Sequence, residues 1–132
     1  MILALDHVNL RTARLEAMRA FYVEVLGLRV GPRPAFSFGG AWLYCGDTAA
    51  VHLVEVDEAP PPGDGLRLEH FALRARGLGE LLERLRARSV PARLGFVRDF
   101  GICQVNVHDP DGTHVHIDFD IAEAEALGLA PA

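Results

Sequence analysis

The sequence predicts an α+β protein built from two copies of one β-α-β-β-β module. Their sheets are expected to form an open, curved, barrel-like mixed sheet with the helices outside. Three observations predict this. The heptad Leu5-Asp6-His7-Val8-Asn9-Leu10-Arg11 returns as Leu68-Glu69-His70-Phe71-Ala72-Leu73-Arg74, following one pattern of Leu, acid, His, apolar, variable, Leu, Arg. The echo continues downstream, where Val51-His52-Leu53 is matched by Val115-His116-Ile117. The first pair of histidines is 63 positions apart and the second pair 64. Between the matched stretches, strand-like and helix-like patterning runs in the same order in both copies. Two repeats are too few for a solenoid, so the modules must bury their apolar faces as a pair. The expected organisation is a single domain over 1–132, with repeat one at 1–58, a linker at 59–65 and repeat two at 66–121.

In the first copy, Ile2 to Leu10 alternates. Val8 and Leu10 fall on one side and His7 and Asn9 on the other, as a strand requires. Thr12 is a candidate N-cap for the following helix. Leu15, Met18, Tyr22, Val25 and Leu26 recur at steps of three and four, the apolar stripe of an amphipathic helix, and Gly27 is its stop. Leu28-Arg29-Val30 begins a second strand, which Gly31-Pro32-Arg33-Pro34 breaks. Phe36-Ser37-Phe38, a Gly39-Gly40 turn and Ala41 to Cys45 read as a hairpin. Ala49 to Val56 is the strand carrying His52. Ala59 to Gly65 holds three consecutive prolines and can be neither helix nor central strand, so it is the linker.

The second copy repeats this order. Leu66 to Ala75 is a strand with His70. Leu78, Leu81, Leu82 and Leu85 mark a helix face. Val90 to Leu94 is a short strand, and Gly95 to Phe100 is less regular. Ile102 to Val107 alternates, Asp109-Pro110-Asp111-Gly112 is a turn, and Thr113 to Phe119 is the closing strand. Ile121 to Leu127 reads as a short tail helix, with frayed residues after it.

The bulk properties exclude several classes. The chain has 132 residues, half of them hydrophobic, which suffices for one compact core. A net charge of −5 argues against a general nucleic-acid binder. There is no apolar run of the ~18 residues that a membrane helix needs, and no signal-peptide pattern, so a cytoplasmic protein is expected. Cys45 and Cys103 are too few for a disulfide framework and read as buried free thiols.

The histidines carry the chemistry. Parity puts His7, His52, His70 and His116 on the strand faces opposite the apolar residues that the helices cover. A lone His on a strand is usually an ordinary hydrogen-bonded residue. Four at matched places in two repeats point instead to a divalent metal, because imidazole is the commonest ligand for such ions. His114 shares a face with His116, about 6.5 Å along the strand, so it could compete as a ligand, although the rim is its expected place. Asp6 and Glu69 are read as facing away, exposed or bonded to a neighbouring strand.

These residues resemble the vicinal-oxygen-chelate superfamily of glyoxalases, bleomycin-resistance proteins, fosfomycin-resistance proteins and extradiol dioxygenases. The matching stretches are Leu5-Asp6-His7-Val8, Phe21-Tyr22 through Val25-Leu26-Gly27-Leu28, Val51-His52-Leu53-Val54-Glu55, Leu68-Glu69-His70-Phe71, and Asp109-Pro110-Asp111-Gly112 with its following strand. The resemblance implies metal ligands at His7, His52, His70 and His116, for Fe, Ni, Co, Zn or Mn. It also implies bidentate chelation of a small oxygenated substrate, and lyase, isomerase or dioxygenase chemistry. The alternative is a non-catalytic module that sequesters a small molecule, as bleomycin-resistance members do. Metal-binding members commonly carry Glu in the last strand of each module, whereas positions 52 and 116 here are both His. A divalent ion held by neutral imidazoles keeps a charge near +2 and favours an anionic oxygen ligand. A ligand His that leaves the metal shell would supply the base, and His52 or His116 is assigned that role. Parity and family position put Asn9, Phe36, Phe38, Trp42 and Tyr44 on the pocket wall of the first half. Phe96, Phe100, Gln104 and Asn106 are assigned to the second. Arg33 and Arg98 are candidates for holding a carboxylate. A homodimer is expected, with no nucleic-acid or membrane partner.

Overall fold

In the computed structural model, which describes residues 1, 3–62 and 65–130, the chain divides into two compact units, Met1–Pro61 and Pro62–Ala132. Each holds a four-stranded mixed sheet that does not close on itself, and the described residues include three α-helices. The fold class is α+β.

The first unit contains β1 (Val8–Thr12), β2 (Arg29–Gly31), β3 (Gly40–Cys45) and β4 (Thr48–Glu55), in the order β1-β4-β3-β2. β1 runs parallel to β4, and the other pairs are antiparallel. Helix α1 (Leu15–Ala20) continues into a π turn, Phe21–Val25, and lies against β3 and β4. Met18, Phe21, Tyr22 and Val25 are buried on the helical side, and Ala41, Leu43, Val51 and Leu53 on the sheet side. Each such Val, Leu, Phe or Met side chain contributes about 1.5–3 kcal/mol when fully buried. Gly27 ends the helix at φ 81°, the left-handed conformation that glycine adopts without penalty.

The second unit contains β5 (His70–Arg74), β6 (Arg93–Val97), β7 (Ile102–His108) and β8 (His114–Asp120), in the order β5-β8-β7-β6. Its helices are α2 (Leu78–Ala87) and α3 (Ile121–Ala126). Leu78, Leu81 and Leu85 of α2 are buried, as are Phe71, Cys103, Val105, Val107, Val115, Ile117 and Phe119 of the sheet. The turn before β8 is set by Asp109, whose Oδ1 accepts from the backbone N–H groups of Asp111 and Thr113. α3 reaches back to α2: Glu123 Oε2 accepts from the Gly77 and Leu78 amides, 2.9 and 2.7 Å away, satisfying donors that a helix start leaves open.

Several element boundaries differ from the sequence expectations. β1 starts at Val8 and β5 at His70, later than expected; Leu3 and Leu5 before β1, and Leu66 and Leu68 before β5, are exposed. Thr12 does not cap α1. Its hydroxyl accepts from the Arg14 amide at 2.9 Å in a tight turn between strand and helix. Phe36 to Phe38 is loop, and β3 pairs instead with β2, Gly31 standing opposite Trp42. Pro32 and Pro34 lack the donors that a strand there would need. β6 lies at Arg93–Val97, followed by a 3₁₀ turn, Arg98–Phe100. Cys45 is exposed beside the β3–β4 turn, whereas Cys103 is buried. Ile2, Gly63, Asp64, Pro131 and Ala132 lie outside the described residues, so the expectations of a strand from Ile2, of part of the linker and of fraying at the last two positions are not addressed there.

Candidate metal and small-molecule site

Each unit gathers its own histidines. In the first, His52 is sandwiched between two rings. Its centroid lies 3.9 Å from that of His7 and 3.9 Å from that of Trp42, both nearly coplanar. The register explains this: Asn9, His52 and Trp42 are directly opposite one another on β1, β4 and β3, so their side chains share one face. Burial pushes the His52 imidazole below its ordinary pKa, and the neighbouring His7 adds to the effect. His52 Nε2 is 3.0 Å from the Ala49 carbonyl, which makes Nε2 the protonated nitrogen and leaves Nδ1 as the basic one.

In the second unit, the His70 ring centroid lies 4.4 Å from that of His116 and 5.2 Å from that of His114. His108 stacks on His114 at 5.1 Å. His114 is not at a rim: its Nε2 donates to Asn106 Oδ1 at 2.8 Å, and its Nδ1 faces Glu69 Oε1 at 3.2 Å. The other oxygen of Glu69 accepts from His70 Nδ1. These two bonds, the one to His70 first, hold the Glu69 carboxyl below the usual carboxylate range. Donor atoms of Glu69, His70 and His114 lie within 4.8 Å of one another, a spacing at which one cation can be held.

Carboxylates on Nδ1 recur across the molecule. Asp6 Oδ2 accepts from His7 Nδ1 at 2.6 Å, and Asp118 Oδ1 accepts from His116 Nδ1 at 2.7 Å. With Glu69 on His70, three of the four repeat histidines have Nδ1 engaged by an acid and Nε2 left as the lone-pair donor. A carboxylate that fixes the tautomer and ring of a metal-ligating His in this way is the usual outer layer of such sites. Within the second unit, the Glu69, His70 and His114 donors therefore fit a divalent ion.

Asp6 and Glu69 are exposed, as expected, and Glu69 also reaches His114 on the neighbouring strand; the bond each makes to Nδ1 of the His beside it was not foreseen. Period-2 alternation applies only within a strand, and Asp6, His7 and Glu69 all precede one. The signal was present in the sequence, because the acid before the His is itself part of the repeat. Asp118 was legible as well, two residues from His116 on the same strand face.

The wall residues divide. Asn9 and Trp42 stand with His52, and Asn106 stands opposite His116, its Nδ2 donating to the Arg93 carbonyl at 3.3 Å. Gln104 is opposite Asp118 and Gly95 on the same sheet face. Phe38 stacks on Phe36 at 4.8 Å in the β2–β3 loop, with the Arg33 guanidinium over both rings and Phe36 6.4 Å from Trp42. Tyr44 turns to the sheet edge. Its hydroxyl donates to the Pro32 carbonyl, and its ring comes so close to Gly31 that a Cβ there would meet it at 2.5 Å. Phe96 stands opposite Cys103 on the sheet side away from Gln104 and Asn106. Phe100 is 79% exposed on the 3₁₀ turn, lining a hollow that contains no histidine.

The family model for the Glyoxalase/Bleomycin resistance protein/Dioxygenase superfamily matches residues 4–117. The chain belongs to that superfamily. Solved structures agree with the fold. A Bacillus anthracis protein described as glyoxalase-family superposes with a TM-score of 0.74 at 23% identity, covering 91% of this chain and 97% of that one. A lactoylglutathione lyase of Agrobacterium tumefaciens gives 0.65 at 22%, covering 90% and 95%. The antibiotic-binding protein TnmS3 of Streptomyces sp. CB03234 gives 0.66 at 24%, covering 90% and 97%. No curated protein matches the sequence.

Proposed function

We propose that this superfamily member binds a divalent metal through His7, His52, His70 and His116, and acts as an enzyme on a small oxygenated molecule held by two of its oxygens. The observation that carries this reading is the acid on Nδ1 of His7, His70 and His116, which leaves three Nε2 lone pairs available to a cation. In the second unit His114 and Glu69 stand ready as further donors. When bound, the ion, whether iron, nickel, cobalt, zinc or manganese, supplies a Lewis acid that favours the anionic form of a chelating substrate. The residues then divide the work. Asp118 fixes His116 so that Nε2 is its basic atom, the orientation that a ligand or a general base requires. His52, kept neutral by burial, offers Nδ1 as the alternative proton acceptor. Trp42 and His7 hold the His52 ring from either face.

A second reading, non-catalytic small-molecule binding, is favoured by the exposed Phe36–Phe38 pair under Arg33, a flat apolar and cationic surface that needs no metal to bind. Elemental analysis of the purified protein, before and after incubation with each divalent ion, separates the two. Bound metal that is lost in His70→Ala and His116→Ala supports the first. No metal with any ion, together with tight binding of flat organic ligands, supports the second. The metal-to-chain ratio reports whether one ion or two is held. A homodimer remains part of the proposal, and its mass in solution by light scattering tests it. Among the described residues, no helix is long and apolar enough to cross a membrane.

A further inference from the structure

The second unit contains a hollow of about 720 Å³ that holds no histidine and shares Asp118 with the His116 hydrogen bond. Its size falls in the range of small-molecule pockets, roughly 300–1,000 Å³. β8 lies between β5 and β7 in the sheet, so the hollow has a floor and two sides. Asp118, Phe119 and Asp120 of β8 form the floor. Arg74 and Arg76, at the end of β5 and just beyond it, form one side, and Phe100 with Gly101 and Ile102 the other.

The charges are sorted and unevenly committed. Asp118 accepts from His116, Asp120 from the Ala122 amide, and Glu123 from the Gly77 and Leu78 amides. Each acid is thereby held in place. Among the described residues no hydrogen bond or ion pair engages the side chain of Arg74 or Arg76. The guanidiniums have not collapsed onto the acids, although Arg74 stands directly opposite Asp118 in the β5–β8 pairing. An anion alone would meet the acidic floor, and a cation alone would meet the two arginines. A molecule carrying both charges satisfies both surfaces. Phe100, an exposed aromatic ring on the side facing the arginines, offers a face for a flat apolar group.

We infer that this hollow binds a small zwitterion with a flat apolar group, the chemistry of an aromatic α-amino acid. The carboxylate is received by the Arg74 and Arg76 forks, which suit planar bidentate contact. The ammonium lies over Asp118 and Asp120, and the ring lies on Phe100.

The test uses chelator-treated full-length protein, so that it stands apart from any metal. L-phenylalanine, 3-phenylpropionate and 2-phenylethylamine are titrated by calorimetry and by amide NMR. L-phenylalanine is expected to bind about tenfold tighter than either singly charged analogue, since each lacks one charge-assisted contact. The shifts should be confined to Ala75, Gly101, Ile102 and Asp118 to Asp120. Arg74→Ala, Arg76→Ala and Phe100→Ala, all at exposed positions that leave the core intact, should each weaken it severalfold. Equal affinity for the zwitterion and 3-phenylpropionate, absence of binding at millimolar ligand, or full affinity in the arginine variants would overturn the inference.

Discussion

The two units carry the same histidine repeat in different surroundings. In the first, His7, His52 and Trp42 form a row of stacked rings, and the carboxylate that engages His7, Asp6, is 89% exposed. In the second, His70, His114 and His116 sit among Glu69, Asp118 and Asn106, and Asp118 is only 21% exposed. Stacking fixes where a ring lies. A half-buried carboxylate also fixes which nitrogen is free, and it strengthens that nitrogen as a donor. One repeat can thus evolve a packing role in one copy and a donor-rich role in the other, and the second unit should dominate cation affinity.

The largest expected effect tests that asymmetry. His70→Ala or His116→Ala should abolish measurable metal retention on a desalting column, whereas His7→Ala or His52→Ala should weaken it and leave a detectable fraction. Equal losses from both units would erase the distinction. Next, Asp118→Asn should lower metal affinity about 10–100-fold, the usual cost of losing an outer carboxylate. Asp6→Asn should cost less, because an exposed acid is already screened by water. Competition against a fluorescent chelator measures both.

The helices offer a smaller contrast. α1 starts with no side-chain cap, while α2 starts with two amides bound by Glu123. Glu123→Ala should therefore destabilise the second unit by about 1 kcal/mol, the typical value of an N-terminal cap. Urea unfolding followed by probes in each unit checks this, and a loss felt equally in α1 would count against it. The smallest effect concerns His52. Its folded pKa is depressed, mainly by burial, so the unfolded chain takes up its proton at a higher pH than the folded chain does. Stability should then fall as pH drops from the ordinary histidine range toward the folded value. Trp42→Leu, by opening the sandwich, should raise the His52 pKa and flatten that slope, as read by NMR titration of its ring protons.

Much of this was legible in the sequence. The doubled histidine heptad and the three-and-four spacing of Leu15, Met18 and Tyr22 and of Leu78, Leu81 and Leu85 fix the modules and their helices, because apolar periodicity is a property of the chain itself. Parity inside β4 and β8 correctly put His52 and His116 opposite the buried valines. Parity failed where strands had not begun. His7 precedes β1, so nothing in the alternation indicated that Asp6 would turn to Nδ1. Phe36 to Phe38 alternates like a strand, but the prolines before it remove the hydrogen-bond partners, and Arg33 pulls the two rings into a stack. The 3₁₀ turn at Arg98 to Phe100 carries Phe100 away from the histidines, a path set by Gly101 at φ 65° that residue type alone does not specify.

The central claim is that acids on Nδ1 present Nε2 of His7, His70 and His116 to a cation. Long-range proton–nitrogen NMR of the histidine rings, recorded during a zinc titration, addresses it most directly. The account predicts Nδ1-protonated tautomers for these three rings without metal, and a zinc-dependent shift at Nε2 that is largest for His70 and His116. Nε2-protonated tautomers, or zinc shifts confined to other residues, would contradict it.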